Sequence, residues 1–316
     1  MRDIAVFSGS AHPSLAAEIC RDLGVELSPT RVTRFANDCL EVQLQANCRE
    51  RDVFLIQPLV PPVQENLVEL LLMLDAARGA SAARTTVVLP HYAYARSDKK
   101  DAPRISIGAR LVADLMVSAG ASRVLALTLH SPQVHGFFSV PVDHLHALRE
   151  LAGYFSRYDL SNTVVVSPDL GNAKEAAHFA RIVDVPVAAG AKQRFADDEV
   201  RISTVIGEVS GRDVIVLDDE IAKGSTMMEL LDKLRERGAR SIRVACTHGL
   251  FTSGALDRLQ AQEDVLEIVS TNSVPIPDEK RVPKLKVLSV APALAEAMRR
   301  INIGESVSTL FEAPST

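Results

Sequence analysis

The sequence contains no tryptophan, and aromatic residues make up only 4% of it. A core built on large rings is excluded, so Leu, Val, Ile and Ala must fill it. Cysteine is equally scarce. Cys20, Cys39, Cys48 and Cys246 form no CxxC pair and no His–Cys cluster, which points to free thiols in a reducing compartment. No apolar run reaches the roughly 18 residues that span a bilayer. The opening MRDIAVFSGS reads as a first strand and not as a signal peptide. An excess of basic charge is also missing. A net charge of −5 and a pI near 5.9 argue against a nucleic-acid binder, whose partner demands a basic face. A small phosphorylated ligand needs only a local patch and stays open. The expectation is a soluble cytoplasmic protein.

What is present is ordinary globular material: 316 residues, 47% hydrophobic and 24% charged. That length predicts two domains. Short runs rich in Val and Ile read as strands at Ile4–Phe7, Val53–Gln57, Thr86–Leu89, Val124–Leu129, Thr163–Val166, Val185–Ala188, Val214–Leu217, Arg243–Thr247 and Leu266–Ser270. Helical patterns fall between them at Gln64–Arg78, Ile107–Ala119, Asn172–Ile182, Thr226–Arg237 and Leu294–Ile301. Alternation of apolar strands with helices predicts an α/β fold with parallel sheets covered on both faces. The strand–loop–helix–strand unit over residues 53–89 recurs with matching spacing over residues 214–247, which suggests an internal repeat. The closing ESVSTLFEAPST has few apolar residues and reads as an extended segment.

The most informative stretch is Val214–Met227, VIVLDDEIAKGSTM. Four apolar residues lead into Asp218 and Asp219, and a Lys-Gly-Ser-Thr turn opens the next helix. Ligands of doubly wound sheets bind at the carboxyl ends of strands, and helix N-termini attract anions. Gly224 lets backbone approach a phosphate, while Ser225 and Thr226 offer hydroxyls and amides. The loop is not a Walker A loop, since GxxxxGK[ST] is absent. Alone, it would equally serve as a solvated strand–helix turn with an Asp or Thr cap.

VLDDEIAKGST resembles the phosphoribosyl-pyrophosphate loop of phosphoribosyltransferases and of ribose-phosphate pyrophosphokinases. FSGSAHPSLA (Phe7–Ala16), RFANDCLEV (Arg34–Val42), ENLVELLLMLDAAR (Glu65–Arg78), YARSDKKD (Tyr94–Asp101) and LHSPQVHGFFSVPVD (Leu129–Asp143) resemble the pyrophosphokinases. So do SPDLGNAK (Ser167–Lys174), AKQR (Ala191–Arg194), THGLFTSGA (Thr247–Ala255) and NIGESVSTLF (Asn302–Phe311). The matches run in order along nearly the whole chain, which is similar to members of the ribose-phosphate pyrophosphokinase (phosphoribosyl pyrophosphate synthetase) family.

The resemblance implies two similar phosphoribosyltransferase-like domains, each a mainly parallel sheet flanked by helices. The first is expected over residues 1–146, completed by 290–316, and the second over 147–289. It implies transfer of the β,γ-diphosphate of Mg-ATP to the 1-hydroxyl of ribose 5-phosphate, with AMP as the second product. Lys192 and Arg194 are implied as the catalytic cations of a mobile flap. Phe35, Asn37, Arg96, Ser97, Lys99, Asp101 and His130 are implied for ATP. Asp218, Asp219, Ala222, Lys223, Gly224, Ser225 and Thr226 are implied for ribose 5-phosphate, and His130 and Asp169 for Mg2+. Asp143 matches a further acid that the family associates with metal. His135, His144 and His146 read as structural. Family membership also implies phosphate as an activator, ADP as an inhibitor and a hexamer or its dimer building block, with no nucleic-acid or membrane partner.

Several positions depart from the family pattern. Cys39 stands for an acid, Thr128 for an Asp, Ser97 for a Gln, Ala222 for an Asp and Lys223 for a small hydroxyl residue. Asn47-Cys48-Arg49 lacks the Ser of a regulatory Ser-x-Arg pair, while Arg49, Ser81, Arg104 and Ser306–Thr309 remain. Two other readings stay open: a catalytically silent regulatory subunit of a pyrophosphokinase complex, and a phosphoribosyltransferase that consumes the activated sugar.

Overall fold

The structure, a computed structural model, describes residues 3–196 and 199–310, with backbone alone for 192–196 and 199–201. The chain divides into two compact units. One holds Met1–His146, Ser273–Pro275 and Val290–Thr316, and the other holds Ala147–Asn272 and Ile276–Ser289.

The first unit contains β1 (Ile4–Ser8), α1 (Pro13–Leu23), β2 (Leu27–Ser28), the hairpin β3 (Thr30–Arg34) and β4 (Leu40–Leu44), β5 (Asp52–Ile56), α2 (Val63–Gly79), β6 (Arg84–Leu89), α3 (Gly108–Ala119), β7 (Arg123–Leu127) and β8 (Val142–Leu145). Six of these strands form one parallel sheet in the order β2-β1-β5-β6-β7-β8. The alternation of a strand sends successive side chains to opposite faces. Ala5, Phe7, Val53, Leu55, Val87, Leu89, Val124 and Ala126 pack with α2 and α3. Their neighbours Val6, Phe54, Ile56, Val88 and Leu125 are buried too, as strands covered on both faces require.

The second unit contains α4 (Leu148–Phe155), β9 (Thr163–Ser167), α5 (Ala173–Ile182), β10 (Val187–Ala196), β11 (Glu199–Ile206), β12 (Asp213–Ile221), α6 (Ser225–Glu236), β13 (Ser241–Gly249), α7 (Ala255–Gln260), β14 (Val265–Thr271) and β15 (Leu285–Leu288). Its sheet runs β11-β10-β9-β12-β13-β14-β15, parallel except for β11. Val164, Val166, Val214, Val216, Val244 and Ile268 pack with α6 and α7. Val165, Ile215, Leu217, Ala245 and Val269 pack on the other face with α4 and α5.

Apart from β11 the two sheets have the same strand order, and the correspondence reaches single residues. Asp52 and Asp213 each open the third strand of their repeat. Arg84 grips Asp52, with Nε 2.8 Å from Oδ1, and Arg240 grips Asp213 in the same bidentate way. The last helix, α8 (Ala291–Ile303), belongs to the first unit. Arg84 donates to the carbonyl of Ile301 at 2.9 Å, and Asn302 donates to Asp52 Oδ2 at 3.0 Å. Asp52 is fully buried, so truncating one partner of this ion pair would cost about 3–5 kcal/mol.

The expected strands and helices are all present, with shifted ends. β6 starts at Arg84, where the grip on Asp52 sets its first residue. β12 runs to Ile221 instead of ending at Leu217, because Ile221 and Ala222 accept backbone bonds from Phe251 and Thr252, each 3.0 Å long. The segment around AKQR, which the resemblance implies as a flap, is the antiparallel pair β10–β11 with a register shift between Ala191 and Lys192. Of the tail expected as extended, Ser308–Leu310 form a short 3-10 turn, and residues 311–316 lie outside the described residues.

Candidate active site

Because β12 continues to Ile221, Asp218 and Asp219 sit inside the strand near its carboxyl end and are held by its ladder. Asp218 pairs in register with Cys246 of β13. Its Oδ1 accepts the backbone N–H of Asp219 at 3.0 Å and the side-chain amide of Asn172 at 3.4 Å. The same amide donates to the carbonyl of Leu217 at 3.2 Å. Asp218 keeps some exposed surface, yet its carboxyl is withdrawn from water. That desolvation, then the charge of Asp219 and more distantly that of Asp169, raises its pKa well above the carboxylate norm.

Asp169 follows β9, the parallel neighbour of β12. Its Oδ1 accepts the backbone N–H of Asn172 at 3.1 Å, and its carbonyl takes the hydroxyl of Ser167 at 2.6 Å. Asp169 and Asp218 are thus linked through one residue. Among the described residues no three His, Cys, Asp or Glu side chains converge as a complete ligand set. Magnesium does not need one, since it commonly takes one or two carboxylates and completes its shell with water and phosphate oxygen. The Asp169 carboxylate, an oxygen donor just past the end of β9, fits that ion.

Ala222, Lys223 and Gly224 join β12 to α6. Gly224 has φ +72°, the left-handed region that favours glycine, and a Cβ there would meet Ala255 at 3.2 Å. Arg258 of α7 donates to the carbonyls of Lys223 and Ser253, the latter at 2.5 Å. The Lys223 side chain is exposed, as is Ser225. α6 starts at Ser225, one residue earlier than expected, and no side chain of its N-cap residue Gly224 caps it. A twelve-residue helix thus opens its first turn six residues after Asp219.

The residues expected for a nucleotide lie in the first unit. Phe35, 49% exposed, stands at the tip of the β3–β4 hairpin. The tip is closed by Phe35 N–H to the Cys39 carbonyl at 2.9 Å and by Cys39 N–H to Asn37 Oδ1 at 3.3 Å. Arg34 anchors it through Asp38 at 2.5 Å and through Glu65 of α2. Arg96 ends the 3-10 turn Ala93–Arg96 and is exposed, as are Lys99 and Asp101, whose ion pair is a loose 3.9 Å. Ser97 is differently employed: its hydroxyl accepts the N–H of Gly108 at 2.9 Å, capping α3.

His130 is exposed and follows a constrained backbone. Thr128 has φ +42°, a strained value for a β-branched residue, and donates to the Leu145 carbonyl at 2.7 Å. The next N–H, that of Leu129, donates to His144 Nε2 at 2.8 Å. His144 therefore positions the turn that carries His130. Asp143 is engaged by Arg123 at 2.5 Å. Lys192 and Arg194 lie on β10 opposite Ile202 and Val200, and their side chains lie outside the described residues.

The internal repeat shows why only the second unit offers the acid pair. Gln57 occupies the place of Asp218, five residues after the Asp that opens its strand. It is fully buried, accepts the N–H of Ala11 at 3.1 Å and donates to the Asn66 carbonyl at 3.3 Å. A Cβ at Gly9 would overlap its amide. Glu69 closes the same loop by accepting Ser10 N–H and Oγ–H, both at 2.5 Å.

The sequence reading missed Asn172 and Arg258 as site residues. Asn172 sat within the SPDLGNAK motif and carried a signal, an amide three residues after an acid. Arg258 carried none, because its role depends on α7 packing under the loop.

A family model for the N-terminal domain of ribose phosphate pyrophosphokinase matches residues 4–120, and one for the phosphoribosyl synthetase-associated domain matches residues 193–312. A Streptomyces coelicolor protein provisionally named ribose-phosphate pyrophosphokinase is 77% identical over 99% of both chains. The ribose-phosphate pyrophosphokinase of Deinococcus radiodurans is 48% identical over 98% of both. The crystal structure of phosphoribosylpyrophosphate synthetase from Mycobacterium smegmatis superposes with a TM-score of 0.90 at 39% identity, covering 96% of this chain and 100% of that one.

Proposed function

The chain belongs to the ribose-phosphate pyrophosphokinase family, and on that premise we propose how its residues divide the reaction. It is an enzyme that moves the β,γ-diphosphate of ATP to the 1-hydroxyl of ribose 5-phosphate, giving 5-phosphoribosyl 1-diphosphate and AMP for nucleotide biosynthesis.

Asp218 and Asp219 accept hydrogen bonds from the ribose 2- and 3-hydroxyls. Ala222 to Thr226 wrap the 5-phosphate, with the α6 amides and dipole favouring its charge and the Lys223 ammonium adding to it. Phe35 stacks on adenine with Asn37 beside it. Arg96 and Lys99 meet the ATP phosphates, His130 and Asp101 complete that group, and Ser97 holds its loop to α3. Magnesium, when bound, supplies charge neutralisation to the polyphosphate; Asp169 would hold it in the second unit and His130 in the first. Lys192 and Arg194 offset the charge that builds on the transferring group, Arg as a fork and Lys as a point charge. Little covalent work is left to the protein, because such transfer depends on positioning and electrostatics.

The observation that carries this reading is the acid pair at the end of β12, six residues ahead of the α6 start that Gly224 leaves uncapped. The test is product identity. Incubation with Mg-ATP and ribose 5-phosphate should yield AMP; formation of ADP in its place would mean single phosphoryl transfer and defeat the assignment.

The same reading extends to regulation and setting. Phosphate is the activator, ADP the inhibitor, and the assembly a homo-hexamer or its dimer. A cytoplasmic location accords with four free cysteines. Among the described residues no helix is long and apolar enough to cross a membrane.

A further inference from the structure

Asparagine is a favoured helix N-cap, where its side-chain oxygen normally accepts an N–H of the first turn. Asn172 occupies the N-cap of α5, yet its side chain makes no such bond. It turns instead toward the neighbouring strand. Nδ2 lies 3.2 Å from the Leu217 carbonyl and 3.4 Å from Asp218 Oδ1. Both neighbours are acceptors, so the amide can face them only through its NH2. Its backbone N–H is given to Asp169 Oδ1 at 3.1 Å. One residue therefore ties the loop after β9 to the carboxyl-terminal part of β12 and fixes the carboxyl that leads the acid pair.

We propose that Asn172 is a positioning residue for the sugar clamp: its amide holds the Asp218 carboxyl in the orientation that accepts the ribose hydroxyls. The role rests on the reading of Asp218 as part of that clamp. Asp218 accepts from two donors at Oδ1, the Asp219 N–H and the Asn172 amide. With Oδ1 held by both donors, the plane of the carboxyl is fixed. Without the amide only the Asp219 N–H remains on Oδ1, and the carboxyl can rotate about its last bond. The strand carbonyl of Leu217 would lose the same donor.

Calorimetric titration with ribose 5-phosphate reads the clamp without needing turnover, and AMP formation in a parallel assay reads the reaction. Asn172→Ala should weaken ribose 5-phosphate binding roughly tenfold, the scale of one hydrogen bond to a charged group. The KM for ATP should stay unchanged, and the thermal midpoint should fall only modestly, since the side chain caps no helix and the Leu217 carbonyl loses one donor. Asn172→Gln, which keeps the carboxamide donor, should fall between the two. A lowered midpoint with unchanged ribose 5-phosphate affinity would show a merely structural role and overturn the proposal. Equal weakening toward both substrates would overturn it as well. Wild-type protein that binds ribose 5-phosphate but forms no AMP would defeat the proposed reaction, while the two affinities would still decide the role of Asn172.

Discussion

Asp218 accepts the backbone N–H of Asp219 at 3.0 Å, so the second acid of the pair helps to fix the first while its charge works against it. Desolvation and the Asp219 carboxylate raise the Asp218 pKa. A raised carboxyl pKa contributes stability at low pH that is lost as pH rises through the folded-state value. At neutral pH the unliganded fold therefore bears the cost of this desolvated carboxyl beside a second acid.

Asp218→Asn removes the ionisable group and keeps an oxygen for both donors. Its thermal midpoint at pH 7 should rise, while the KM for ribose 5-phosphate should increase roughly tenfold or more as a charged acceptor is lost. Thermal melts and steady-state kinetics check both halves. A lower midpoint together with an unchanged KM would remove Asp218 from the clamp.

Lys192→Ala should lower kcat by about a hundredfold or more, with KM values moving far less, since a contact that strengthens in the transition state acts on kcat. Initial rates over a grid of both substrates measure this. A rise confined to the KM for ATP would reduce Lys192 to a ground-state contact.

Phosphate activation should be weakened but present. Asn47, standing where the family carries a Ser, spends its side-chain oxygen on the N–H of Arg49 at 3.1 Å. The Ser306–Thr309 turn is held by Arg300, which donates to the Ser306 carbonyl at 3.0 Å and to the Thr309 hydroxyl. Initial rate against added phosphate is the measurement, and a flat line through the millimolar range would contradict the expectation.

Acid should destabilise the fold in a defined window. Hydrogen bonds from Arg240 hold the Asp213 pKa down, those from Arg235 do the same for Asp264, and Arg299 and Arg300 bring Glu296 to about 2. Depressed carboxyl pKa values give stability that is present above the unfolded-state values and lost as pH falls through the folded ones. The thermal midpoint should hold down to about pH 5 and then fall steadily toward pH 3. Calorimetry across that range checks it; a midpoint constant to pH 3 would mean these pairs contribute nothing.

The sequence made the strand–helix alternation legible because fully buried strands are continuous apolar runs, as DVFLI and DVIVL are. It hid the β3–β4 hairpin, whose residues are half-exposed and carry Arg31, Arg34 and Glu41, so that antiparallel pairing and not burial defines it. It also hid β11, which exists through pairing with β10. Motif resemblance located the acid pair and its loop without the structure. Two features were beyond its reach. Ser97 is a helix cap for α3, and Asn172 reaches a residue 45 positions away. Both depend on which surfaces meet after the chain folds. The likeness of Asp52–Arg84 to Asp213–Arg240 was equally invisible, because the partners lie 32 residues apart in one repeat and 27 in the other.

Phosphorus NMR of the protein with Mg-ATP, with and without ribose 5-phosphate, tests the central claim most directly. The account predicts AMP and a new sugar 1-diphosphate signal, appearing together and only when ribose 5-phosphate is present. ATP that stays intact while still binding would contradict it and would point to a catalytically silent subunit, with Thr128, Ala222 and Lys223 as the first residues to revert.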